Sequence, residues 1–262
     1  MLAGSALPAS ASESTDEATC PDVEHPDILS IGSSTLGSVL GPMLGAAFQR
    51  DGLTHHFYGV ASSGLARPDY HDWLAGAAKL IGTYDPDVVV VELGTNDFQP
   101  LWEVDHWVRR SAPEWETLYA QRIDALLAVI GGPDKQRLIL WMGPYCFAAD
   151  NAIEQGPVID RLLRDRLATW VASGGRARYV DAWGATTDKR GWPIVKRKLP
   201  GLNGTLEIRT DDGIHLKGFV VRKLFAEPII ETVRACVAAK LEREHPTASD
   251  ESPAEVENPG GQ

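Results

Sequence analysis

Short apolar runs and longer amphipathic stretches alternate along most of this chain. Asp27 to Gly32, His56 to Val60, Asp87 to Leu93, Arg137 to Met142 and Arg178 to Asp181 are each of strand length. The third contains four consecutive valines, Val88 to Val91, with no polar alternation, as expected of a parallel strand covered on both faces. Between the runs lie stretches of helical period: about Thr35 to Arg50, Tyr70 to Thr83, Pro113 to Ile130, Val158 to Ser173 and Leu216 to Arg243. Asp51-Gly52, Gly131-Gly132 and Gly174-Gly175 supply helix stops. Strand and helix in alternation predict an α/β fold on a parallel sheet. Ligands of such sheets bind outside the carboxyl ends of the strands, so the chemistry is sought just after each run.

The stretch from Trp183 to Thr210 breaks the rhythm. Asn203-Gly204 is a hairpin-type turn signal between Ile194 to Leu199 and Leu206 to Arg209, and predicts a loop or small hairpin beside the site. Residues 1–25 are small, acidic and serine-rich and read as a disordered leader or the remnant of a signal peptide, with Ala9-Ser10-Ala11 as a cleavage-like site. Residues 245–262 read as a disordered tail, which leaves a single domain over 26–244. Export to a periplasmic or extracellular space is the expected localisation, with the cytoplasm as the alternative. The three cysteines, Cys20, Cys146 and Cys236, are too few and too scattered for a disulfide framework or a zinc knuckle. They read as free, partly buried thiols, although one pair could bridge.

Composition narrows the partners. A formal net charge of −11 lacks the basic footprint that a phosphate backbone needs, so no nucleic-acid partner is expected. No run approaches the roughly 20 apolar residues of a spanning helix, so no membrane insertion is expected either.

Four strand-end segments carry candidate chemistry: Gly32-Ser33-Ser34-Thr35, Ser62-Ser63-Gly64, Gly94-Thr95-Asn96-Asp97 and Asp211-Asp212-Gly213-Ile214-His215. Ester hydrolysis needs an activated hydroxyl, a base within reach of it, a carboxylate to orient the base, and donors for the oxyanion. Ser34 falls where a strand gives way to a helix, whose N-terminus stabilises negative charge. Asp212 and His215 are three apart before a helix, a spacing that lets the carboxylate reach the ring nitrogen facing away from Ser34. Gly64 allows close backbone approach to a ligand.

In order and spacing the four segments resemble the blocks of the SGNH (GDSL-like) hydrolase superfamily, over residues 26 to 240. The run from Ser63 to Tyr70 is similar to a poorly characterised bacterial branch of it. The resemblance implies a flavodoxin-like three-layer sandwich with a five-stranded parallel sheet and a Ser34–His215–Asp212 triad. It also implies an oxyanion hole built from the Ser34 and Gly64 N–H groups and the Asn96 amide. One position departs from the pattern: the Asp usual before the nucleophile is Ser33 here, which leaves the bracing of that turn unaccounted for.

Each residue also has a plain structural reading. Ser34 could cap a helix, Asn96 and Asp97 could be turn residues, His215 could be a loop histidine, and Asp211 could replace Asp212 as orienter. Asp97 reads as structural. His55 and His56 alternate faces of a strand, and Asp69, His71 and Asp72 read as a helix start, so neither a metal nor a cofactor is expected. Trp102 and Trp107, in the long loop expected after Asn96, could stack on a sugar ring or an acyl chain. Arg67 could meet an anionic substrate group or pair with Asp69. The leading expectation is an esterase removing a small acyl group, acetyl foremost, from a carbohydrate or cell-envelope glycan through an acyl-enzyme. An O-acyltransferase with the same triad and a non-catalytic carbohydrate-binding domain are the alternatives.

Overall fold

A computed structural model describes residues 20–134, 136–147 and 149–244. The chain runs through β1 (Ile28–Gly32), a π-helical turn (Leu36–Leu40), α1 (Gly41–Arg50), β2 (His55–Gly59), α2 (Trp73–Tyr84) and β3 (Val88–Glu92). A hairpin of β4 (Leu101–Glu103) and β5 (His106–Val108) leads to α3 (Trp115–Gly131), β6 (Leu138–Met142), α4 (Asp150–Ala172), β7 (Arg176–Val180) and the short α5 (Ala182–Thr186). A ribbon of β8 (Lys196–Arg197) and β9 (Leu206–Glu207) precedes α6 (Gly218–Val221), which passes through a π-helical segment (Arg222–Ala226) into α7 (Glu227–Glu244).

Five strands form one parallel sheet in the order β2-β1-β3-β6-β7. Alternate residues feed opposite cores, because side chains of a strand point to opposite faces in turn. Val89, Val91, Ile139 and Trp141 pack with residues of α2, α3 and α4, such as Trp73, Ile123 and Leu163. Val88, Val90, Leu138 and Leu140 pack with Leu44 and Phe48 of α1 and Ile229 and Val233 of α7. Helices on both faces make the three-layer α/β sandwich. From β1 the chain turns to β2 on one side and then to β3 on the other, so a topological switch point lies between β1 and β3.

The expected strands are present within two residues, and the predicted hairpin around Asn203-Gly204 appears as the antiparallel β8–β9 pair, in which Arg197 faces Leu206. The stretch after Asn96, expected as a loop, holds the β4–β5 hairpin. Helix α2 starts at Trp73 rather than Tyr70, because the Asp72 side chain accepts the Leu74 and Ala75 N–H groups and fixes the first turn there. Helix α4 starts at Asp150, eight residues before the expected Val158, and runs through Pro157. Its first turns bury Ala152 and Gly156, and a Cβ on Gly156 would fall 2.0 Å from the Trp183 ring. Small residues chosen for close approach do not read as an apolar stripe.

The cysteines are a second correction. Cys20 and Cys236 form a disulfide with a Cα–Cα distance of 5.2 Å across 216 positions, while Cys146 is free and buried. Burial pushes the Cys146 thiol up to about 11, so it is protonated at neutral pH. The start of the described chain is thus tied to α7, where Asp22 also pairs with Lys240. Expectations for residues 1–19 and 245–262 lie outside the described residues. No helix among the described residues is long and apolar enough to cross a membrane.

Candidate active site

The loops after β1, β2 and β3 leave neighbouring strands at one edge of the sheet, in register through Gly32↔Gly59 and Gly32↔Glu92. The first delivers Ser34, the second Gly64 and the third Asn96. The loop before α6 brings His215 over Ser34, with Ser34 Oγ 3.3 Å from His215 Nε2. His215 Nδ1 lies 2.7 Å from Asp212 Oδ2. This relay joins residues 181 positions apart in sequence.

Local chemistry shapes the Asp212–His215 loop. Asp212 Oδ1 accepts from the Ile214 N–H at 2.8 Å, the His215 N–H at 2.9 Å and the Thr210 hydroxyl at 2.5 Å. One carboxylate oxygen thereby folds the loop while the other faces the imidazole. Gly213 takes φ +69°, a left-handed turn that suits glycine. Below the loop, buried Arg209 bridges to Leu216 and donates through Nε to the Ile194 carbonyl at 3.0 Å. The His215 contact and these three donors hold the Asp212 carboxyl well below the usual carboxylate range. Asp212, not its neighbour Asp211, is the residue placed against the histidine.

The nucleophile turn is braced from β3. The Glu92 carboxylate is almost completely buried, and its Oε2 accepts the Ser33 N–H and Ser33 hydroxyl at 2.8 Å each and the Leu36 N–H at 3.3 Å. Burial pushes Glu92 up to about 7, against the pull of these donors. Next to Ser34, Thr35 Oγ1 lies 3.0 Å from the buried Tyr145 hydroxyl, and the Tyr145 N–H donates to Thr95 Oγ1 at 3.3 Å. This chain of contacts links the first and third segments.

Asn96 and Gly64 sit side by side. The Asn96 amide donates one N–H to the Ser63 carbonyl at 2.9 Å, which leaves its second N–H for a ligand. Gly64 is glycine for a reason the sequence did not show: a Cβ there would fall 2.2 Å from Asp97 Oδ1. The Asp97 carboxylate is buried and accepts the Ala66 N–H at 2.7 Å and the Tyr119 hydroxyl at 2.8 Å. Asp97 therefore shapes the Gly64 loop from beneath and has the structural part its sequence suggested.

Beside Asn96 opens a cavity of about 360 Å³ lined by Ser62, Arg67, Tyr70, Asn96 and Gln99. Arg67 pairs through Nε and Nη2 with both Asp69 oxygens at 2.8 Å, and its guanidinium lies 4.7 Å over the exposed Trp107 ring. Trp102 is half-buried, meets Trp107 edge to face at 4.9 Å, and donates its main-chain N–H to the Ala66 carbonyl. Trp107 is the more accessible of the two rings, while Trp102 braces the Gly64 loop. Of the other aromatics, Trp73, Phe98, Trp115 and Trp183 are buried core residues, and Tyr70 and Trp192 are exposed.

Glu92, Thr210 and Tyr145 escaped the sequence reading. Glu92 had a signal: it is the ionisable residue that follows four buried valines directly, at the carboxyl end of the strand where the site lies. Among the described residues no three His, Cys, Asp or Glu side chains converge as metal ligands would.

The sheet order, the flanking helix layers and the serine–histidine–aspartate arrangement at the switch point define a chain of the SGNH hydrolase fold. It belongs to the family described as "Protein of unknown function (DUF459)", whose profile matches residues 27–228. The lipase/acylhydrolase from Enterococcus faecalis superposes with a TM-score of 0.51 at 15% identity, covering 81% of this chain and 96% of that one. The inhibitor-bound aryl esterase of M. smegmatis also gives 0.51, at 14% identity over 80% and 99%. No curated protein matches the sequence.

Proposed function

We propose that this chain is a serine esterase that removes a small acyl group, acetyl foremost, from a carbohydrate or cell-envelope glycan. The observation that carries the reading is the continuous path from Ser34 Oγ through His215 to Asp212, at 3.3 and 2.7 Å. In this reading Ser34 Oγ attacks the ester carbonyl carbon while His215 Nε2 takes the hydroxyl proton. The oxyanion meets the Ser34 and Gly64 N–H groups and the free Asn96 N–H. Collapse expels the alcohol, which receives the proton from His215 and leaves an acyl group on Ser34. Water, deprotonated by His215, then attacks the acyl carbon; the carboxylic acid departs and Ser34 regains its proton. Asp212, held ionised by its donors, keeps the imidazole in the tautomer that presents a lone pair to Ser34.

The walls beside Asn96 support a hydroxyl-rich alcohol over a long acyl chain. Hydroxyl, phenol, guanidinium and amide groups line that cavity, and aliphatic side chains do not. The Arg67 charge is taken up by Asp69, which favours a neutral sugar over an anionic group. Exposed Tyr70, and Trp107 where Arg67 leaves it open, offer aromatic surface to a pyranose. The disulfide, of a kind that persists in oxidising compartments, supports an exported protein.

Hydrolysis of p-nitrophenyl acetate and of an acetylated methyl glycoside by wild type and Ser34→Ala tests the reading. Knocking out a triad serine costs on the order of 10⁶ in turnover. A folded Ser34→Ala protein that keeps a tenth of wild-type activity defeats it. Adding free methyl glycoside separates hydrolysis from acyl transfer. Acetate as the main product supports the esterase, and acetylated glycoside as the main product supports the transferase.

A further inference from the structure

We propose that Glu92 is a positioning residue for the nucleophile, and that it decides which N–H at the helix start is left to meet the oxyanion. The inference rests on the esterase reading of Ser34. The first N–H groups of a helix have no partner within it. Around Ser34, Glu92 Oε2 takes two of them, from Ser33 at 2.8 Å and Leu36 at 3.3 Å, together with the Ser33 hydroxyl at 2.8 Å. The Glu92 main-chain carbonyl accepts the Ser33 N–H as well, at 3.2 Å. Bound on both sides, the turn leaves two intervening N–H groups, of Ser34 and Thr35, that Glu92 does not take, and the first belongs to the residue whose Oγ meets His215.

Two further features fit this part. Glu92 is buried, yet the helix N-terminus supplies the positive end of the backbone dipole to its carboxylate. Gly32 faces it so closely that a Cβ would lie 2.8 Å from Glu92 Cβ and 3.0 Å from Oε2. The residue before the nucleophile is accordingly a small donor, Ser33, whose hydroxyl points at the carboxylate. An aspartate at that position would set a second negative charge against Glu92 in a buried place.

All three bonds end on a single oxygen, so acceptor geometry, rather than charge, carries the positioning. Glutamine can place its amide oxygen there; aspartate, one methylene shorter, cannot reach. With p-nitrophenyl acetate and active sites counted by fluorophosphonate titration, Glu92→Gln keeps kcat within about threefold of wild type. Glu92→Asp loses at least about tenfold in kcat at nearly unchanged KM, since a displaced donor weakens transition-state rather than ground-state binding. Ser33→Ala, which removes only the hydroxyl bond and spares the fold, loses roughly threefold or more in kcat, again at constant KM. An unchanged kcat in folded Glu92→Asp or in Ser33→Ala overturns the proposal. So does a loss in Glu92→Gln as large as that in Glu92→Asp, which would make the charge the active element. Failure of the esterase reading shows instead in the wild type, which would neither release nitrophenol nor take up the phosphonate.

Discussion

The disulfide between Cys20 and Cys236 closes almost the whole described chain into a loop, with 216 positions between its ends. The chain-entropy expression for so long a loop gives about 5 kcal/mol of stabilisation through the unfolded state, toward the upper end of the range for single disulfides. The neighbouring Asp22–Lys240 and Asp22–Arg243 pairs add little, because they join an exposed carboxylate to the same helix, where water and salt screen them. Both sulfurs are buried, so mild reductant attacks the folded protein slowly, and the clean perturbation is the double variant Cys20→Ser, Cys236→Ser. For a domain of this size each kcal/mol corresponds to roughly 2–4 °C in Tm, so the variant should melt about 10–20 °C below wild type. The assay is a thermal melt of both proteins by circular dichroism at one pH and concentration. A variant melting within 2 °C of the oxidised wild type would refute the reasoning and leave the bridge without a stabilising part.

Asp212→Asn should fold normally and lose on the order of 10⁴ in kcat, the cost of a misoriented histidine in the best-studied triad, whereas Asp211→Asn should change it little; steady-state kinetics on p-nitrophenyl acetate compares them. Gly64→Ala drives a Cβ to 2.2 Å from Asp97 Oδ1, and Asp97 is pinned by Ala66 and Tyr119. A stability loss of about 1–3 kcal/mol in urea titration, with at least about 100-fold less activity, is the expected outcome. Glu92, an acid raised from 4.5 to about 7, binds a proton in the folded state that the unfolded chain releases. Its contribution of about 3 kcal/mol is thus full below about pH 4.5 and lost as pH rises to about 7. His55, lowered to about 4 by burial, acts oppositely, its contribution present above about 6.5 and lost as pH falls through about 4. The difference in unfolding free energy between wild type and Glu92→Gln isolates the Glu92 part, and parallel curves from pH 4.5 to 8 would contradict it.

Much of the fold was legible because burial on both faces writes itself as uninterrupted apolar runs, Val88 to Val91 above all. The site was legible for a related reason: each functional segment follows a run at the carboxyl edge of the sheet, so order along the chain maps onto position in space. What stayed hidden depends on contacts between distant elements. Glu92 reads as a polar strand end until the register with Gly32 places it against Ser33. The Gly64 requirement comes from Asp97, thirty-three positions away. Cys20 and Cys236 lie near opposite ends of the chain, and spacing alone cannot pair them. The β4–β5 strands are three residues each, too short for period-two alternation to register, so Trp102 and Trp107 read only as loop aromatics.

In the proposed reaction Ser34, activated by His215, forms the acyl-enzyme. Incubation of the whole protein with a fluorophosphonate, followed by peptide mapping of the modified residue, tests it most directly, because the reagent traps a nucleophilic serine whatever the natural substrate. One stoichiometric modification is expected, on Ser34, abolished in Ser34→Ala and slowed by orders of magnitude when His215 is replaced by Ala. Stoichiometric labelling at another residue, or a fully folded protein that takes up no label, would contradict it.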